Sequence, residues 1–219
     1  MELKVYGQDG SDAGRTVTLD DSVFGIKPND HAIWLDVRRI QAHARQGTHK
    51  AKERSENAHS TRKLYRQKGT GFARAGDAKS PIRKGGGTIF GPRPRTYSLK
   101  INKKTQRLAR RSALTYKARA EAIRVIEGFA FDAPSTRNLK DLIGRLELTD
   151  RKVLLLTTEH NVAVYRSGTN LPKVQVLPAA SASTLDVMKA QVIVLQEGAL
   201  DVLTRLLGDA EPEAAPANA

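Results

Sequence analysis

Val153-Leu154-Leu155-Leu156 is a continuous apolar run, too short for a helix and lacking the polar alternation of a strand with one wet face. It reads as a strand buried on both faces, the signature of a parallel sheet. Three runs of similar length share its character: Ile123-Arg124-Val125-Ile126, Val174-Gln175-Val176-Leu177 and Val192-Ile193-Val194-Leu195. Helix-like stretches separate them, from Ser135 to Leu146, near Asn161–Arg166 and from Ser183 to Lys189, and a last helix from Ala199 to Leu207 closes the series. Strands alternating with helices imply βα units, and the right-handed crossover rule puts helices on both faces of the sheet. The expectation is an α/β fold: a three-layer body with a mostly parallel central sheet.

Working outward, residues 1–29 predict short strands joined by turns, forming a small hairpin on a sheet edge. Leu3 and Val5, then Val17 and Leu19, alternate with polar neighbours around Asp9-Gly10 and Ala13-Gly14. Asp30 suits an N-cap for a helix to about Arg45, with Ile33, Val37, Ile40 and Ala44 on one face. Asn102 caps a second helix to about Ala120, where Ala109, Ala113, Tyr116 and Ala120 make a narrow face of small residues. Between these helices, from Gln46 to Arg95, hydrophobic periodicity disappears; Gly is frequent, and Pro81, Pro92 and Pro94 interrupt helix and ladder alike. A structureless segment this long inside a compact domain is a functional loop or one that orders on a partner. The expected organisation is a globular body of 1–45 and 96–208, a long extended basic loop of 46–95 inserted between two helices, and a disordered acidic Ala/Pro tail of 209–219.

Charge follows the same division. The chain carries a net charge of +14. Between Arg38 and Arg119 there are 24 Lys or Arg against only Glu53, Glu56 and Asp77, a local net of +21, while the remainder is net −7. Such asymmetry points to nucleic acid or another anionic surface as partner. Membrane attachment would want a basic amphipathic helix with a bulky apolar face, and a segment interrupted by Gly, Pro, Ser and Thr does not supply one. There is no cysteine, hence no disulfide or thiolate chemistry, and no apolar run approaches transmembrane length. The N-terminus shows no signal-peptide pattern, so the cytoplasm is the expected compartment.

An α/β body invites comparison with nucleotide-using enzymes. The first βα turn reads Gly128-Phe129-Ala130-Phe131-Asp132, with no G-x-G-x-x-G, and Lys68-Gly69-Thr70-Gly71 has phosphate-loop residue types in the wrong order. Gly85-Gly86-Gly87 could cradle phosphate but is not flanked by a strand feeding a helix. The five histidines lack metal-ligand spacing, and no serine sits in a nucleophile elbow. No catalytic residue, cofactor or metal is expected; the alternative reading is a nucleotide-using α/β enzyme with a basic lid.

The cations of the central segment are irregularly spaced, with turn residues between them, which suits an irregular RNA surface better than the major groove. Tyr65, Phe72, Phe90 and Tyr97 are interleaved with them and can either stack on splayed bases or pack the base of the loop. Candidate RNA-binding cations are Arg45, Lys50, Lys52, Arg54, Arg62, Lys63, Arg66, Lys68, Arg74, Lys79, Arg83, Lys84, Arg93 and Arg95, continued by Lys103, Lys104, Arg107, Arg110 and Arg111 on the second helix.

Several motifs occur in a fixed order: Arg45-Gln46-Gly47-Thr48, Arg66-Gln67-Lys68-Gly69-Thr70-Gly71, Lys79-Ser80-Pro81, Gly85-Gly86-Gly87, Phe90-Gly91-Pro92-Arg93-Pro94-Arg95, Asn102-Lys103-Lys104 and Arg111-Ser112-Ala113-Leu114. Together they resemble the bacterial form of large-subunit ribosomal protein L-four, over nearly the whole chain. The resemblance implies a non-enzymatic, cytoplasmic structural protein of the large ribosomal subunit that binds 23S rRNA and supports early subunit assembly. It implies an α/β body on the ribosome surface and a loop lining the nascent-peptide exit tunnel, with Arg66, Gln67, Lys68, Gly69, Thr70 and Gly71 at its tip. The implied partners are neighbouring large-subunit proteins, including the other protein of the tunnel constriction, the nascent peptide, and the messenger RNA of its own operon, which some members repress. The chain departs from the family pattern beside the tip, at residues 58–65 and at Phe72.

Overall fold

A computed structural model describes residues 1–129, 131 and 133–208; the tail expected to be disordered lies outside them. Strands β1 (Glu2–Tyr6) and β2 (Asp12–Thr18) precede helices α1 (Asp21–Phe24) and α2 (Asp30–His43). After α3 (Lys103–Arg119) the chain alternates: β3 (Ile123–Ile126), α4 (Thr136–Arg145), β4 (Val153–Thr157), α5 (Val162–Thr169), β5 (Val174–Pro178), α6 (Thr184–Lys189), β6 (Val192–Gln196) and α7 (Glu197–Leu207). The six strands form one sheet in the order β2-β1-β3-β6-β4-β5. Only the β1–β2 hairpin at one edge is antiparallel; every other pairing is parallel.

All four apolar runs become strands, and the burial of β4 and β6 explains why those two read as continuous. Leu154 and Leu156 of β4, with Ile193 and Leu195 of β6, enter a core shared with α1, α3, α6 and α7. Val153, Leu155, Val192 and Val194 point the other way, to a core shared with α4 and α5. The side-chain period of two is intact, but both faces are covered, so neither calls for polar residues. Three helices begin on the residues expected to start them: the Ser135 side chain accepts from the Asn138 amide, Asn161 from Ala163 and Val164, and Ser183 forms a capping box with Asp186.

The N-terminal half differs from expectation in detail. A four-residue helix, α1, follows the hairpin, started by the Asp20 side chain. The side chain that caps α2 is that of Asn29, which accepts from the Ala32 amide at 3.0 Å, while Asp30 accepts the Tyr116 hydroxyl at 2.7 Å. The buried positions of α2 are Ala32, Ile33 and Asp36, and Ala44 lies beyond the helix, exposed. On α3, Ala109 and Ala113 are buried as expected, but Ser112, Leu114, Thr115 and Ala118 complete the buried face, and Tyr116 and Ala120 are exposed.

Asp36 displaces the expected apolar stripe because it organises a buried polar junction. Its carboxylate takes the Arg39 guanidinium at 2.8 Å and the Thr184 hydroxyl at 2.6 Å, tying α2 to α6 while 1% of the side chain is exposed. Periodicity scores apolar positions and passes over a buried carboxylate, one of whose partners, Thr184, lies 148 residues away.

Contacts divide the described chain into two compact units, Gln41–Leu99 on one hand and Met1–Ile40 with the residues from Lys100 on the other. Between α2 and α3 the only regular element is a single 3₁₀ turn, Arg54–Glu56. Among the described residues no helix is long and apolar enough to cross a membrane.

Removing Asp36 strands a mostly buried guanidinium and a buried hydroxyl. Asp36→Ala is expected to cost about 3 kcal/mol in urea unfolding. Asp150→Ala, which breaks the exposed pair with Lys173, is expected to change stability by less than about 0.5 kcal/mol.

Candidate nucleic-acid interface

The unit Gln41–Leu99 has almost no regular secondary structure, yet its backbone is tied together. The Arg95 amide donates to the Gly47 carbonyl at 3.1 Å, Ala51 to Pro92 at 3.1 Å, and Thr88 to Lys52 at 3.0 Å. These bonds join an outgoing limb, residues 47–52, to a returning limb, residues 88–95. Pro92 and Pro94 have no amide to donate, so an uninterrupted ladder cannot form. At the base of the limbs Gly47 has φ +67°, and a Cβ there would lie 1.9 Å from the Arg95 carbonyl oxygen. Only glycine permits both that backbone conformation and that approach.

Farther along, the Gly87 amide donates to Lys79 and Leu64 to Gly76, each at 3.0 Å, closing two smaller loops. Atoms added at Gly86 or Gly87 would strike the backbone of Ser80 or Arg54. Gly86 and Gly87 are therefore spent on backbone packing, not on an open phosphate cradle.

All three acids of the unit are engaged internally. Glu56 takes Lys50 Nζ at 2.6 Å, Asp77 takes Arg54 Nη2 at 2.8 Å, and Glu53 takes Arg93 Nε. Tyr97 lies beneath two guanidiniums, with Arg45 3.8 Å and Arg95 4.6 Å from its ring centroid. Those two arginines hold the Tyr97 hydroxyl below its ordinary range, first through the Arg95 hydrogen bond. The acids and Tyr97 act as staples within a like-charged segment, a role that composition does not reveal because it depends on pairings up to 52 residues apart.

Against those three acids the unit carries fourteen Lys and Arg, all exposed except the half-buried Lys79. Arg54, Lys63 and Arg74 line an open groove of about 400 Å³ above Asp77. Around the expected tip, the Tyr65 hydroxyl donates to the Ala73 carbonyl and its ring leans on Phe72, with centroids 6.4 Å apart. Arg66 reaches the Gly69 carbonyl at 3.1 Å and Lys63 bonds the Gln67 side chain, leaving the exposed Lys68 without a partner within the unit.

The cations of α3 separate into two kinds. Lys103, Lys104 and Arg107 are exposed, whereas Arg110 and Arg111 are half-buried. Burial pushes the Arg110 guanidinium down, opposed by the nearby Asp36 carboxylate. Lys117, also pushed down by burial, donates to the Ala190 carbonyl at 2.6 Å, and Arg119 to Ile26 at 3.3 Å. The seven cations of this helix, too many for a simple solvated face, thus include some that build the body.

Residues 17–206 match the Ribosomal protein L4/L1 family. A "Large ribosomal subunit protein uL4" of Salinibacter ruber is 55% identical over 217 residues, covering 99% of this chain and 100% of that protein. Proteins of the same name from Chlorobium phaeobacteroides and Porphyromonas gingivalis are each 52% identical, over 95% and 94% of this chain and 100% and 99% of their own lengths. The chain belongs to the ribosomal protein L4/L1 family. It is a structural, non-enzymatic ribosomal protein, so the nucleotide-using enzyme reading falls. The α/β body is the fold expected of a family member, and the sequence motifs that suggested the family lie largely in the Gln41–Leu99 unit and at the start of α3.

Glu56 provides a direct check on the staples. Its carboxyl is held below the ordinary range, chiefly by the Lys50 hydrogen bond and then by the Glu53 amide. A carboxyl depressed by folding adds stability that is present above its unfolded value near 4.3 and is lost as pH falls through the lower folded value. In an NMR titration Glu56 should therefore protonate at lower pH than in a denatured reference, and Lys50→Met should move its midpoint upward. An unmoved midpoint in the variant would show that the pair does not form.

Proposed function

We propose that this chain is a structural constituent of the large ribosomal subunit in the cytoplasm and binds 23S rRNA through the cations of the central segment and of α3. The globular body comprises 1–45 and 96–208, and the loop of 46–95 lines the nascent-peptide exit tunnel with Arg66, Gln67, Lys68, Gly69, Thr70 and Gly71 at its tip. The observation that carries this reading is the imbalance within Gln41–Leu99: thirteen exposed cations around three carboxylates that are already paired inside the unit. Such a surface lacks counter-charge of its own, and a folded polyanion supplies it at short range while releasing counterions. The names of the relatives, large ribosomal subunit proteins, support the location.

The same surface accounts for the remaining partners. Neighbouring large-subunit proteins, including the other constriction protein, would meet the body and the loop, and the nascent peptide would pass Lys68. Early binding to rRNA would support subunit assembly. A structured leader in the operon messenger RNA, presenting similar phosphate geometry, would permit autogenous repression.

The decisive experiment is sedimentation of the protein with large subunits through high salt. Retention is expected, since many phosphate contacts must be released together; quantitative loss at moderate salt would refute integration into the subunit. For isolated rRNA binding, the slope of log K against log salt should become less steep by about 1 when Lys68 is neutralised. Lys68→Glu should bind rRNA more weakly than the wild type while its unfolding free energy stays within about 0.5 kcal/mol. Leu155→Asp places a charge in the β4 core, where 2% of the residue is exposed, and should leave little folded protein. Equal losses of folded protein for the two variants would contradict the assignment of Lys68 to the RNA surface.

A further inference from the structure

Three non-glycine residues among those described have positive φ: Phe90 at 51°, Glu121 at 51° and Glu147 at 59°. Glu121 and Glu147 directly follow the caps of α3 and α4, where a left-handed residue commonly ends a helix. Phe90 has no helix before it. It is a bulky aromatic in a conformation that disfavours such side chains, and it is fully exposed, at 102% relative accessibility.

The backbone bonds show how it is held there. Thr88 donates to Lys52, and Ala51 donates to Pro92. Between these two links the outgoing limb moves one residue and the returning limb four, so residues 89–91 are forced into a bulge. Gly91 closes the bulge, because a Cβ there would lie 2.7 Å from the Ala51 Cβ. Ile89, at the start of the bulge, is 61% exposed. A bulge of this kind re-aims side chains, and strain retained with an apolar ring in water is a reason to look for a ligand.

The other aromatics of the unit each contact a protein ring or cation, and Phe72, 78% exposed, comes nearest to Phe90 in availability. Tyr97 lies under Arg45 and Arg95, and Tyr65 packs on Phe72 while its hydroxyl bonds Ala73. Lys50 and Lys52 precede the bulge on one limb, and Arg93 and Arg95 follow it on the other. A nucleobase meets these conditions well, because it offers a π-face to the ring and brings phosphates to the adjacent cations.

We propose that Phe90 is a built stacking platform for an unstacked RNA base, and that the 89–91 bulge exists to present it. The inference rests on the RNA-binding reading above and specifies where, away from the tip, a base is held. Stacking confers affinity without neutralising a phosphate, so its removal weakens binding and leaves the salt slope alone.

The test uses full-length protein and in vitro transcribed large-subunit rRNA. The chain has one tryptophan, Trp34, so Trp34→Phe combined with Phe90→Trp places the sole indole at the bulge. At least twofold quenching is expected on saturation with RNA, reversed when salt dissociates the complex. Phe90→Leu should raise Kd about tenfold with an unchanged salt slope. Phe90→Gly, which removes the ring and accepts the positive φ, should lose affinity similarly without loss of folding. Wild-type affinity for Phe90→Leu, or an unquenched indole in a complex with the wild-type salt slope, would overturn the stacking platform and leave the RNA reading standing. No binding of the wild type to the transcript would overturn both. Quenching by added large-subunit proteins, but not by RNA, would assign the bulge to a protein pocket and refute the proposal.

Discussion

Repulsion among the cations of the Gln41–Leu99 unit is the constraint to which its other features respond. Adjacent like charges in water repel by roughly 1 kcal/mol at 4 Å, and fourteen cations have only three carboxylates to offset them. Each carboxylate is placed on a different cation: Glu53 on Arg93, Glu56 on Lys50 and Asp77 on Arg54. Glu53–Arg93 joins the two limbs at the level of the backbone links, while Lys50–Glu56 and Arg54–Asp77 secure segments farther along. Exposed ion pairs contribute little individually. Here they act together with backbone hydrogen bonds and glycine-dependent approaches that require no apolar core.

The globular body meets a different constraint. Its sheet is buried on both faces, and two separate apolar clusters cover the alternating side chains of β3, β4 and β6. That arrangement leaves few positions for polar groups, and Asp36, Ser112 and Thr115 are buried with hydrogen-bond partners, while the buried Arg110 Nε has none. Asp36 accepts from Arg39 and Thr184, and the Ser112 and Thr115 hydroxyls bond backward along α3. Stability of the body comes from area removed from water. The basic unit relies on local bonds and, in the proposed function, on an external polyanion. The two portions of the chain therefore answer differently to salt, which weakens the charge pairs and phosphate contacts but hardly affects the apolar clusters.

Family membership agrees with this division of labour. A ribosomal protein needs no catalytic cleft, and the α/β body has no task that requires one. The cleft beside α4, lined by Asp9, Asn138, Asp141 and Arg145, is spanned in part by the Asp9–Arg145 ion pair at 2.9 Å. The chemistry expected of the chain lies in exposed cations and in exposed rings, Phe90 foremost, on irregular backbone. Loops positioned by local bonds can follow the surface of a folded RNA more closely than a straight helix or strand.

The sequence by itself determined the α/β class, the four apolar strands, the helix starts at Ser135, Asn161 and Ser183, the edge hairpin and the charge imbalance. These follow from short-range patterns: side-chain period, capping chemistry and composition. Tertiary structure decided the buried face of α2, where Asp36 finds partners on its own helix and 148 residues away, and the division of the α3 cations between solvent and body. It also decided which aromatics were available. Tyr65, Phe72, Phe90 and Tyr97 are equivalent candidates in a sequence, because stacking and packing both need an exposed-looking ring beside cations. Only the pairing of Lys52 with Thr88 and of Ala51 with Pro92 turns residues 89–91 into a bulge, and that bulge leaves Phe90 in water.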